Sequence, residues 1–147
     1  MTSEYLCAAA LFVFLCGCEP APAFPSDYAK TFVEVRNCRL SSEHDSHNIR
    51  ILASPTALGP YKSRDGGFPL GAIVLKEERD FGDVNCSSPV LLWTVMTATN
   101  DGGVNGWHWQ SVSPERRVLS TNESRCIGCH AGCGQGPDGY EGTCAVP

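Results

Sequence analysis

The sequence predicts a mainly β fold of the α+β kind, an antiparallel sheet of four to five strands with a few helices. Three observations point there. Four segments, HNIRILA, FPLGAIVLKEE, VLLWTVMTAT and GWHWQSV, alternate or concentrate apolar and β-branched residues over strand lengths. The links between them are punctuated by Gly, Pro, Asn and Asp and leave no room for the helical crossovers that parallel strands need. Finally, 42% hydrophobic and 18% charged residues over 147 positions describe one ordinary globular domain. The net charge of -5 gives no basic face for nucleic acid.

The elements are read in chain order. YLCAAALFVFLC, from Tyr5 to Cys16, is long enough for a signal-peptide core and short for a membrane span, although MTSEY before it holds Glu4 and no Lys or Arg. The run ends in Leu15-Cys16-Gly17-Cys18, which is similar to a bacterial lipobox. Residues 1–17 are therefore expected to export the chain and Cys18 to carry a lipid anchor, placing the protein on the periplasmic side of the cell envelope. The Pro-rich residues 18–26 are expected to form a tether and residues 27–147 the domain. DYAKTFVEVRNCRL spaces Tyr28, Phe32 and Val35 like one face of a helix, with Ser26 or Asp27 as N-cap. HNIRILA puts Ile49, Ile51 and Ala53 on one side of a strand that Pro55 closes. The next strand holds Ala72 to Leu75, the strongest runs from Val90 to Thr99, and a fourth places Trp107 and Trp109 opposite His108.

The chemistry concentrates in RCIGCHAGCGQGPDGYEGTC. Its CIGCH is a C-x-x-C-H signature of covalent haem attachment: two thiols add to the two vinyl groups of haem, and the adjacent imidazole faces the iron. Cys126 and Cys129 are then the tethers and His130 the axial ligand of one haem c. Two alternatives use the same residues: a tetrahedral zinc site from Cys126, Cys129, Cys133 and either Cys144 or His130, and a C-x-x-C redox switch. Export favours haem, because exposed thiols do not persist in an oxidising envelope. With Cys18 lipidated and two thiols on haem, Cys38, Cys86, Cys133 and Cys144 are left to pair. Of the three connectivities, Cys38 with Cys86 and Cys133 with Cys144 is preferred.

The blocks FPLGAIVLKEE, WTVM, GWHWQSV and CIGCH, in that order from about Tyr28 onward, resemble the cytochrome P460 family and its relative cytochrome c′-beta. The resemblance implies a haem packed on an antiparallel sheet, five-coordinate iron, commonly a homodimer, and small nitrogen-oxide ligands such as nitric oxide or hydroxylamine. It also implies a lysine bonded to the macrocycle, matched by Lys76, whose plainer reading is an exposed residue of KEER. The family's pocket carboxylate is matched by Thr94, which donates a hydrogen bond but accepts no proton near neutral pH. That departure favours ligand binding over hydroxylamine oxidation. Glu77 and Glu78 are expected to face water, Trp93, Thr94 and Met96 to line the pocket, and His44 and His47 to occupy a solvated turn. Met96 is read as core more readily than as a sixth iron ligand, although a six-coordinate electron carrier is the rival haem reading.

Overall fold

The computed structural model describes residues 19–100, 106–136 and 139–144. Cys18 and the export segment lie outside them. Six antiparallel strands form one sheet in sequence order: β1 (Val33–Ser41), β2 (His47–Ala53), β3 (Ile73–Arg79), β4 (Leu92–Ala98), β5 (Trp107–Val112) and β6 (Val118–Thr121). Two helices, α1 (Pro55–Ser63) and α2 (Ser124–Ala131), and a two-stranded ribbon, β7 (Gln135–Gly136) with β8 (Gly139–Tyr140), complete the order. The mainly β, antiparallel expectation holds, with six strands in place of four to five.

The first expected helix is corrected. Only Tyr28–Lys30 turns, as a 3-10 segment, and the chain then extends into β1. Val33 and Val35 are stiff β-branched residues, and pairing with β2 outweighs a helical spacing that two or three apolar residues satisfied by coincidence. The reverse correction applies after β2, where Pro55 opens a helix instead of only ending a strand. Ser54 caps α1 by accepting from the Ala57 amide at 3.3 Å, and the fixed φ of Pro55 suits the first helical position.

The side-chain period of two divides the sheet into two faces. Ile49, Ile51, Ala53, Val74, Met96, Ala98, Trp107 and Trp109 share the first, covered by Ala57 and Tyr61 of α1 and by Cys126 and Ile127 of α2. Leu52, Leu75, Trp93, Val95 and Val112 share the second, where Phe24 and Tyr28 pack. The strap that carries Phe24 is tied down: Gln110 Oε1 accepts from the Ala23 amide at 2.8 Å, and Arg116 donates to the Phe24 carbonyl at 2.6 Å. Within the stretch expected as tether, Ala21, Ala23 and Phe24 make these contacts with the sheet and its β5–β6 connection. Among the described residues no helix is long and apolar enough to cross a membrane.

Two disulfides staple the irregular parts. Cys38 joins β1 to the β3–β4 connection through Cys86, and Cys133 is bonded to Cys144 around the C-terminal ribbon. Loop closure over separations of 48 and 11 residues is worth about 4 and about 3 kcal/mol in a chain-entropy account.

Candidate functional site

Register builds the site on the first face. Ile51 pairs with Lys76, Lys76 with Thr94, and Thr94 with Ser111, so one transverse row crosses four strands. Two residues along β3, Glu78 returns to the same face as Lys76. Against this face α2 presents Cys126, half-buried, with Cys129 exposed; neither is in a disulfide. Positions i and i+3 of a helix lie about 5–6 Å apart at Cβ. Both thiols therefore occupy neighbouring places on one helical surface.

His130 follows them, and its orientation is fixed. Its Nδ1 lies 2.7 Å from the Gly142 carbonyl oxygen. A carbonyl can only accept, so Nδ1 carries the proton and Nε2 keeps a lone pair suited to a metal. Gly142 can place that carbonyl because it sits at φ 83°, where a Cβ would lie 3.2 Å from Trp107 Nε1. Burial first, and the Lys76 charge second, hold the His130 pKa below its ordinary value against the opposing pull of the Gly142 bond. Trp109 stands edge-on to the imidazole with ring centres 4.6 Å apart. Its buried Nε1 has no hydrogen-bond partner among the described residues.

Lys76 is not the exposed lysine of a charge cluster. Its side chain is 12% exposed, and its ammonium lies 3.7 Å from Glu78 Oε1. Burial pulls its pKa down from 10.5 to about 8, with Glu78 and Cys126 resisting. Glu78, expected in water, is 3% exposed. Its Oε1 accepts from Thr94 Oγ1 at 3.3 Å and its Oε2 lies 2.9 Å from His47 Nδ1. Burial also raises the Cys126 thiol, with Glu123 adding to the effect and Lys76 opposing it.

The β1–β2 turn closes one side. Asp45 and Arg125 meet at 3.2 Å and link this turn to α2. His44, hydrogen-bonded through Nδ1 to Ser41 Oγ at 2.7 Å, is held to about 4, first by burial and then by the charges of Lys76 and His130. It is therefore a neutral imidazole at neutral pH.

Several expectations change here. Trp93 points to the second face and donates to Tyr28 Oη at 3.0 Å, while Thr94 and Met96 remain on the first. Met96 is a core residue beside Val74 and Trp109. Glu77 is buried on the second face, not solvated. Sequence reasoning passed over Glu78 as a site residue because it ended the third strand at Leu75, and over His47 because it read it as part of a solvated turn. Continuing the period of two from Lys76 would have placed Glu78 beside it.

The donor set limits the chemistry. Cys133 and Cys144 have their sulfurs in a disulfide, which removes them from a tetrahedral zinc site. Among the described residues no group of three or more His, Cys, Asp or Glu side chains is arranged to hold a metal ion. Two unpaired thiols on one helix surface, a neighbouring imidazole with Nε2 available, and an unpartnered indole beside it fit a porphyrin held by two thioethers and one axial nitrogen. Neither a scan against protein-family models nor a search of curated proteins finds a match to the chain.

The Lys76 environment makes a thermodynamic prediction. An unfolded lysine keeps its proton to about 10.5 and the folded one loses it near 8, so between those values the unfolded state binds more protons and stability rises with pH. At neutral pH the buried ammonium costs on the order of 3 kcal/mol. Lys76→Met in the haem-free chain should therefore raise the urea midpoint at pH 7 and flatten the rise between pH 8 and 10.5. A lower midpoint at pH 7 would count against this account.

Proposed function

We propose that the chain is a monohaem c-type cytochrome of the cytochrome P460 kind, exported to the cell envelope, that binds or oxidises small nitrogen-oxide ligands such as nitric oxide and hydroxylamine. The carrying observation is His130, oriented through Nδ1 by Gly142 and adjacent to two unpaired thiols. Two disulfides agree with an oxidising compartment, and the export and Cys18 lipidation readings supply the location.

Bound haem would supply a redox-active iron with one coordination position left for a small ligand. Cys126 and Cys129 would hold it through thioethers, and His130 would offer Nε2 from a ring whose tautomer is already set. Trp109 limits tilting of that ring. Lys76 brings an amine whose proton is easily lost, so it can donate to a ligand oxygen or, in its neutral form, act as a nucleophile toward the macrocycle edge. Thr94 donates a hydrogen bond to Glu78, and that carboxylate, not Thr94, is the proton acceptor among these side chains.

Absorption spectra of the purified protein test the reading. High-spin ferrous haem that binds carbon monoxide is expected, with a red-shifted Soret band that Lys76→Ala abolishes if the amine is bonded to haem. A low-spin ferrous spectrum indifferent to carbon monoxide would indicate the six-coordinate electron carrier instead. Absence of haem after expression with attachment machinery would sink both.

A further inference from the structure

We propose that Glu78 and His47 form the proton path between the buried Lys76–Thr94 pair and solvent. The inference rests on the haem reading and adds to it a route, made by side chains on two adjacent strands. Glu78 is enclosed, yet both its oxygens are engaged from different directions. Oε1 faces Lys76 Nζ at 3.7 Å and Thr94 Oγ1 at 3.3 Å, on the buried side. Oε2 faces His47 Nδ1 at 2.9 Å, well within proton-transfer distance. The His47 side chain is 27% exposed, so the far edge of the ring can exchange with water.

The other charged groups around the site do not provide this connection. Glu77 is next in sequence but lies on the opposite face, held by Tyr28, Arg50 and Arg79. His44 interacts with the charges of Lys76 and His130, but its Nδ1 is occupied by Ser41 Oγ. Asp45 and Arg125 pair with each other at the rim. Cys126 is a thiol whose pKa burial raises, and Glu123 reaches the site only through its effect on Cys126. Arg79 sits beyond Glu78 on the second face with Glu77.

Nitrogen-oxide ligands gain or lose protons together with electrons. The electrons pass to or from an external one-electron redox protein, and only the proton uses this path. A proton leaving the ligand goes to a Glu78 oxygen. Glu78, now protonated, donates from Oε2 to His47 Nδ1. The ring in the tautomer that carries its proton on Nε2 takes it on Nδ1 and releases the Nε2 proton to water, so one proton enters and one leaves with no change in electron count. Proton uptake runs in reverse. His47 acts through Glu78 and is a positioning residue for it.

The test uses the full haem-loaded chain and reads the rate of one proton transfer, not turnover. Ferric wild type, Glu78→Gln, His47→Gln and Glu78→Asp are mixed at pH 7 with cyanide, which enters as hydrogen cyanide and loses its proton as it binds, in a weakly buffered solution with a pH-indicator dye, and covalent haem content is measured alongside. Wild-type binding and proton release should be fast and should keep pace with each other. Both becoming at least about tenfold slower in Glu78→Gln and His47→Gln, with near-wild-type rates in Glu78→Asp and full haem content throughout, supports the path. Rates unchanged in both glutamine variants overturn it while leaving the haem reading intact. Rates slowed only in Glu78→Gln also overturn it, because the proton then leaves Glu78 without His47. Wild-type protein without covalent haem removes the haem reading, and the path falls with it.

Discussion

A chain in which Cys126 and Cys129 are both alanine, produced beside haem-attachment machinery, is expected to carry no haem that survives denaturation, against one per chain for the unaltered protein. The expectation follows from what each residue contributes. The thiols are the residues able to form thioethers on α2, and without them the retaining contacts are one axial nitrogen and apolar packing. Each single alanine variant keeps one thioether and should show a reduced, spectrally shifted haem content. The fold should survive in all three, because α2 buries no residue fully and both disulfides lie elsewhere. His130→Ala separates ligation from attachment: its thiols remain, and a haem bound through them should lose the spectral signature of an imidazole ligand. Mass spectrometry and a haem-stained denaturing gel read the result. Stoichiometric covalent haem in the double variant would refute the role given to CIGCH.

Parts of this arrangement were legible in the sequence for physical reasons. HNIRILA and GWHWQSV were legible because Ile49, Ile51, Ala53, Trp107 and Trp109 recur at every second position and meet the apolar cover of the first face, although residues of the opposite face such as Leu52 and Val112 are buried too. CIGCH was legible because its spacing is local, and one helical turn places its donors. The failures occur where tertiary contacts decide. Tyr28, Phe32 and Val35 satisfy a helical spacing, yet β1 forms because β2 offers an edge to pair with. Ser54 and Pro55 make a helix start that reads equally well as a strand end. KEER looks like a strand running out into water, since buried charges are rare unless paired. Here they are paired, on both faces: Lys76 with Glu78 on one, Glu77 and Arg79 on the other. The grouping of Lys76, Thr94 and Glu78 was beyond any local pattern, because strand register brings them together.

Glu77→Ala is expected to cost about 3 to 5 kcal/mol, the largest stability loss among these substitutions. Glu77 is 1% exposed and accepts from three donors: Tyr28 Oη at 2.6 Å, Arg50 Nε at 2.8 Å and an Arg79 amino group at 2.7 Å. Burial alone would raise its pKa, but the bonds from Arg79 and Tyr28, with the Arg50 charge, outweigh burial and hold it below the ordinary carboxylate value. Removing the carboxylate strands Arg79 in the interior, whereas Arg50, whose side chain is 30% exposed, can turn to water. The loss should therefore fall toward the lower end of that range. Tyr28→Phe deletes one donor to the Glu77 carboxylate and the acceptor of Trp93 Nε1, a change of about 1.5 to 3 kcal/mol. Because the folded pKa of Glu77 is depressed, its contribution is complete above about pH 4.5 and fades as pH falls through the folded value. Urea unfolding at pH 7 and again in acid should show the gap between wild type and Glu77→Ala closing toward low pH. The adjacent Lys76 and Glu78 face the other way, so the haem spectrum of Glu77→Ala should match wild type while its urea midpoint drops. An altered spectrum with an unchanged midpoint would mean that the two faces of β3 do not divide the work into scaffold and site.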